Sequence, residues 1–480
     1  MDSPGLLEIS HDSCPAISEI LDVVERKRMV SVSRETLRLA DDVRRRYEEL
    51  VERGEKVYGY CTGLGQLYTR NPGRCGPAWE KHVLEEHAMG VGEYAALDIV
   101  RAFLTVRLIQ LSRARAPVRG VVIERLVDAL NNDITPLVHL HGSVGASGDL
   151  APSAEAFLCL YYGEGTAYSN GSVSSCREAL KKHGLEPLEL EGGEALALIN
   201  NTAWSTGILI LSTRSLRELW FTALDSFAQS ARVAGCNHQH YNADVLGSSA
   251  HEGVRKVGSL IRALAGECSG RRLQDPYSLR CTPQVMGAVH DILEFAERIA
   301  VEEACSSTEN PVVIDGGLYH WCGFHSIYAG IAADLLRLGI AHLANLVERR
   351  IAQLLRSEIT GLPDFLARED DSVGAMILQY TSASLASRIR WLANPVTVHN
   401  IPTSGLQEDV VPQSPEAGYS LAESLVHLAH LISLEKALAS YASTGMEGGV
   451  KELRSKIDEY VGEVARRASL EWAIYSRLVR

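Results

Sequence analysis

The chain has 480 residues, 46% hydrophobic and 6% aromatic, enough to bury a large core without disulfide or metal staples. Its 60 acidic residues outweigh 47 basic ones, for a net charge of −13, and no long basic run occurs. That balance argues against a nucleic-acid or anionic-membrane surface.

Ten cysteines are scattered without a CxxC pair, which reads as free, mostly buried thiols in a reducing compartment. The N-terminal MDSPGLLEISHDSCPAIS lacks a basic start followed by an apolar run, so no signal peptide is expected. No membrane span is expected either. A cytoplasmic location follows.

In chain order, apolar side chains recur at three- and four-residue spacing over 96–114, 204–233, 286–304, 328–358 and 417–442, with a more charged tail over 447–479. Several of these stretches exceed the usual helix of about 10–14 residues. They predict a mainly α protein, an elongated bundle of long helices with a loop-rich N-terminal region. We divide it into residues 1–200, an N-terminal region with catalytic loops that include the Ala146-Ser147-Gly148 segment, and residues 201–480, the central long-helix bundle and C-terminal helices. Loops are expected at 54–76, 141–153, 163–175, 266–283, 305–325 and 394–416. The 163–175 stretch is a turn tipped by SNG. The other five carry most of the side chains that do chemistry. The CNHQH run at 236–240 is too compact for one tetrahedral metal site and reads as loop, so no metal is expected.

The loop GSVGASGDLAP, Gly142–Pro152, is unusually rich in residues that weaken helices. It lacks the GxSxG of a nucleophile elbow, the lysine of a P-loop and the GxGxxG of a dinucleotide site. One further chemistry is open to Ala146-Ser147-Gly148. Attack of the Gly148 nitrogen on the Ala146 carbonyl, with loss of two waters, gives an imidazolone bearing a methylidene from Ser147. The tripeptide is common, and on its own it favours a glycine-rich turn with no chemistry.

Seven further motifs accompany it in order: YGYCTGLG (58–65), EEHAMGVGE (85–93), EALALINNT (194–202), QDPYSLRCTPQV (274–285), SSTENP (306–311), GFHS (323–326) and IPTSGLQED (401–409). With these the chain resembles the aromatic amino acid ammonia-lyases along nearly its whole length, most nearly their histidine ammonia-lyase branch. The resemblance implies the fold of that branch. It also implies a methylidene-imidazolone made from Ala146, Ser147 and Gly148, no external cofactor, and a homotetramer with shared active sites.

By the same resemblance Tyr58 is the base for the β-proton, which requires its pKa to be shifted below the usual value near 10. Arg280 is the carboxylate clamp, and Gln274, Tyr277 and Asn200 are donors around the prosthetic ring. His87, Phe324 and Glu408 line the substrate side chain, while Asp149 and Asn310 hold loops in place. His87 and Glu408 favour a histidine substrate, giving urocanate and ammonia, since a phenyl ring would leave both groups unsatisfied. Tyrosine, then phenylalanine, are the alternatives, as is an aminomutase using the same electrophile. A catalytically inactive helical scaffold is the alternative of a different class. Four motifs depart from the family pattern: YGYCTGLG at Cys61 and Leu64, NNTA at Asn201 and Ala203, the GFH segment with Cys322 before it, and TENP at Glu309.

Overall fold

The computed structural model describes residues 5–60, 62–71, 76–265, 270–368 and 372–473, apart from the side chains of 262–265. Five helices form its centre: α1 (Leu97–Leu111), α2 (Ala203–Ala234), α3 (Thr282–Ala304), α4 (Ile327–Leu354) and α5 (Ser414–Ser443). Positions Ile99 to Leu111 of α1 are all buried, so this helix is enclosed on every side and needs no polar face. At 32 residues α2 is about 48 Å long. It buries Trp204, Trp220 and Phe227 while packing along α1, α3, α4 and α5. Arg350 of α4 pairs with Glu435 of α5 (Nη2 to Oε2 2.9 Å), and Ser230 of α2 donates to the same carboxylate at 2.8 Å. One buried ionic cluster thus ties three helices in the core.

The predicted helices occur with shifted ends. α3 begins at Thr282 rather than 286, because Pro283 suits a first helical turn. The 328–358 stretch breaks after Leu354 into a short helix, Ser357–Thr360. The tail is the helix Gly449–Arg467 followed by a 3-10 turn, Leu470–Ala473. The 163–175 stretch is a β-hairpin, Thr166–Ser169 against Ser172–Ser175, with Asn170-Gly171 as its turn. The other strands are short pairs bracing loops at the bundle's edge, such as Val312–Ile314 with Gly317–Tyr319.

The cysteine expectation is overturned. Cys14 bonds to Cys305 with Cα atoms 5.7 Å apart, and Cys159 to Cys176 at 5.3 Å. Cys281 and Cys322 are free. Sequence spacing carries no record of contacts 291 residues apart, so the pairing could not be read from it. Two stretches, Glu194–Ala234 and α4, are long and apolar enough to cross a membrane. Their most apolar windows are 100% and 67% buried, so packing within the bundle accounts for that apolarity.

Candidate active site

The Gly142–Pro152 loop sits where helix N-termini converge. Asp149 is fully buried and accepts from Ser205 in the first turn of α2 (N 3.0 Å, Oγ 3.1 Å) and from Ser143 Oγ at 3.0 Å. Ser143 Oγ in turn accepts from Gly145 N at 3.1 Å, so this serine is a loop brace. Burial pushes the Asp149 carboxyl up to about 6, and the serine hydrogen bonds pull the other way. Ser326, at the start of α4, donates through N and Oγ to Gly145 O, each at 3.1 Å. Gln413, at the start of α5, donates from N to Val144 O at 3.0 Å. The positive ends of α2, α4 and α5 therefore all meet this loop, which favours negative charge developing there.

Gly148 has φ +92°, and an added Cβ would lie 2.5 Å from Asn201 N and 2.7 Å from Asn201 O. Only glycine fits this pressed conformation. Asn200 donates from Nδ2 to Ser147 O at 2.7 Å, while its Oδ1 is buried without a partner. Ser147 Oγ donates to Glu408 Oε1, and the other oxygen of Glu408 accepts from Thr403 Oγ1.

Ser147 opens into a cavity of about 1220 Å³ that also touches Tyr58, Asn200, Asn310, Phe324 and Glu408. The Tyr58 hydroxyl accepts from Gly65 N at 2.7 Å, which folds YGYCTGLG over the cavity. Cys61 within that motif lies outside the described residues. Within this chain Tyr58 titrates above its ordinary value: burial raises it most, the Gly65 N–H lowers it, and the Glu408 carboxylate raises it again. The expected downward shift is therefore not produced by one chain, since no cation among its described neighbours offsets burial. Asn310 Oδ1 accepts from Trp321 N at 3.0 Å. Its neighbour Glu309 pairs with the fully buried Arg107 at 2.8 Å, so the glutamate of TENP anchors this loop to α1.

Four expected site residues stand apart from this cavity. His87 ends the helix Pro77–His87, half-buried, with Nδ1 donating to Val83 O at 2.7 Å. Gln274 and Tyr277 are exposed and Arg280 half-exposed, around the short helix Tyr277–Arg280. That segment is held firmly. Buried Asp275 accepts from Asn237 N at 2.6 Å and Arg272 Nε at 2.9 Å, and Tyr241 donates to Leu279 O at 2.9 Å. The CNHQH run thus serves as its mount. Among the described residues no group of three or more His, Cys, Asp or Glu side chains could hold a metal ion.

Sequence reasoning gave no role to Thr403 or Ser326. Both lie inside the quoted motifs, so position alone could have flagged them.

A model of the family described as aromatic amino acid lyase matches residues 16–460. A protein named "Probable histidine ammonia-lyase" from Thermoplasma acidophilum is 33% identical over 93% of this chain and 92% of its own. The histidine ammonia-lyase of Burkholderia pseudomallei is 35% identical over 86% and 85%. Among solved structures, the phenylalanine aminomutase of Pantoea agglomerans is 27% identical, covers 94% of each chain and has a TM-score of 0.87.

Proposed function

The chain belongs to the aromatic amino acid lyase family of carbon–nitrogen lyases, and we propose that it eliminates ammonia from L-histidine to give urocanate. The group we assign to it is a methylidene-imidazolone made from Ala146, Ser147 and Gly148. These residues fit that group. Gly148 is pressed against the backbone of Asn201, Asn200 holds the Ser147 carbonyl, and Ala146 adds no bulk. Once formed, the group supplies an electrophile for the substrate amine, which no ordinary side chain offers.

The remaining work falls to side chains. The Tyr58 hydroxyl removes the β-proton. Arg280 binds the substrate carboxylate and brings a positive charge that lowers the Tyr58 pKa toward neutrality. Asn200, Gln274 and Tyr277 donate to the carbonyl oxygen of the ring. Phe324 packs on the substrate, and Glu408 and His87 meet the imidazole.

Because Arg280, Gln274, Tyr277 and His87 stand off the cavity in one chain, this reading requires neighbouring subunits to supply them, in a homotetramer. The cavity exceeds the usual ligand pocket of about 300–1000 Å³, which leaves room for such insertions. Leu273 and Tyr277 are 79% and 72% exposed, unusual for free apolar side chains and suited to an interface.

The observation that carries the histidine reading is the carboxylate of Glu408 in the cavity, an acceptor suited to an imidazole N–H and wasted on a phenyl ring. The test is incubation with histidine, tyrosine and phenylalanine separately, followed by ultraviolet absorbance. Urocanate from histidine is expected, and its absence defeats the substrate assignment. The likeness to a phenylalanine aminomutase keeps a β-amino acid product as the second reading, which chromatography of the same mixtures resolves. An unmodified protein mass would instead favour the inactive scaffold.

A further inference from the structure

We propose that Glu408 is the acid–base group that matures Ala146-Ser147-Gly148, and that maturation itself frees Glu408 to receive substrate. This rests on the methylidene-imidazolone reading above. Ser147 Oγ, the atom that must leave, donates to Glu408 Oε1. Thr403 Oγ1 holds the other carboxylate oxygen, and Thr403 N donates to Glu408 O at 3.0 Å, so the acid is fixed by backbone and side chain. Among the described residues no other titratable side chain hydrogen-bonds to Ser147. Asp149, two residues on, is committed to Ser143 and Ser205. Asn200 holds the Ser147 carbonyl but has no proton to exchange near neutral pH.

The atoms balance as follows. Ring closure joins Gly148 N to the Ala146 carbonyl carbon. The Ala146 oxygen leaves as the first water, carrying the amide protons of Gly148 and Ser147. The second water is Ser147 Oγ with its own hydrogen and one more. Hydroxide leaves poorly, so that extra proton must arrive as the Cβ–Oγ bond breaks. Glu408, protonated from solvent and with its hydrogen bond to Oγ reversed, delivers it. The proton leaving Ser147 Cα restores the acid as the Cα–Cβ double bond forms.

The product lacks Oγ, so Glu408 Oε1 loses its partner and faces the cavity. The contact seen here belongs to the chain before maturation. Substrate recognition through Glu408 becomes available only when the electrophile exists.

The test is peptide mass spectrometry of the 146–148 segment, taken at intervals after refolding, for wild type, Glu408→Gln and Glu408→Asp. Wild type should become lighter by about 36 Da, the mass of two waters. Glu408→Gln should stall at a loss of no more than about 18 Da, with the second water leaving about 100-fold slower or not at all. Glu408→Asp should fall between them. Two losses at the wild-type rate in Glu408→Gln would overturn the proposal. A wild-type chain that loses no mass defeats the underlying reading instead. If Glu408→Gln does not melt cooperatively, Thr403→Val decides, since it keeps the acid and removes its tether. Slowed second dehydration supports the proposal, and an unchanged rate overturns it.

Discussion

Substituting Gly148 isolates how tightly the active-site loop is pressed onto its support. At φ +92° an alanine would be strained, and its Cβ would meet Asn201 N at 2.5 Å, Asn201 O at 2.7 Å and Asn200 C at 3.2 Å. All three are backbone atoms, so no side chain can rotate away. The control is Gly184, which has φ +70° and nothing within 4 Å of a built Cβ. Left-handed strain costs an L-residue about 1–2 kcal/mol. The stiffer unfolded chain offsets about 0.4–1 kcal/mol of that at both positions. Gly184→Ala should therefore cost about 0.5–1 kcal/mol. Gly148→Ala adds overpacking, about 1–3 kcal/mol, because residues 200–201 must shift and the Asp149 N to Asn201 O bond (2.8 Å) with them. The excess over the control is thus about 1–3 kcal/mol. Both substitutions are made in Ser147→Ala, so that ring formation does not enter, and compared by urea unfolding. Equal midpoint shifts for the two would refute the argument that the loop is clamped by the Asn200–Asn201 backbone.

Tyr58→Phe should lower turnover by about 10²–10⁴-fold and leave the mass loss of the 146–148 segment intact; a variant turning over at more than a tenth of the wild-type rate excludes Tyr58 as base. Mixed assemblies of inactive Ser147→Ala and inactive Arg280→Ala chains should recover activity, in about a quarter of sites for equal mixing, since each site would draw Ser147 and Arg280 from different chains. No recovery in verified mixed assemblies would mean that each site is built within one chain. Glu80 is buried at 1% exposure and accepts from Gly193 N and Ala195 N, and burial pushes its pKa up to about 7. The folded state binds this proton more tightly than the unfolded one, so the stability it contributes is present below pH about 4.5 and is lost as pH rises to about 7. Urea midpoints measured across that window should fall in the wild type and fall less in Glu80→Gln. Reduction should destabilise the protein, by about 3 kcal/mol for the short Cys159–Cys176 loop on loop-entropy grounds. Unchanged melting with and without reductant would show that neither bond forms.

The fold was legible because its helices are long. The 32 residues of α2 and 30 of α5, about nine and eight turns, give the apolar period many repeats, and the ends moved, as where Pro283 starts α3 early. Short elements were less so. Val312–Ile314 and Gly317–Tyr319 have three residues each, too few for an alternating pattern to register. The disulfides were hidden for a different reason: Cys14 and Cys305 meet only because the N-terminal loop folds back onto the end of α3.

The site separates into two kinds of information. Ser147, Asn200, Tyr58, Phe324 and Glu408 could be named from their motifs, and the fold of one chain brings them to one cavity. Arg280, Gln274, Tyr277 and His87 could be named from motifs just as specific, yet the same chain holds them elsewhere. A motif records which residue a reaction needs and carries no mark of where the fold places it. The two groups also differ physically. Ser147 and Asn200 hang from buried backbone at helix N-termini, whereas the Tyr277–Arg280 helix is mounted rigidly on Asp275 and presents Tyr277 outward. A rigid mount beneath an exposed side chain costs order without gaining burial, and the proposed tetramer would supply that burial. Tyr58 points the same way. One chain raises its pKa and no described cation offsets the burial, so under the proposed function the lowering charge is the Arg280 guanidinium that the proposed tetramer would bring to it.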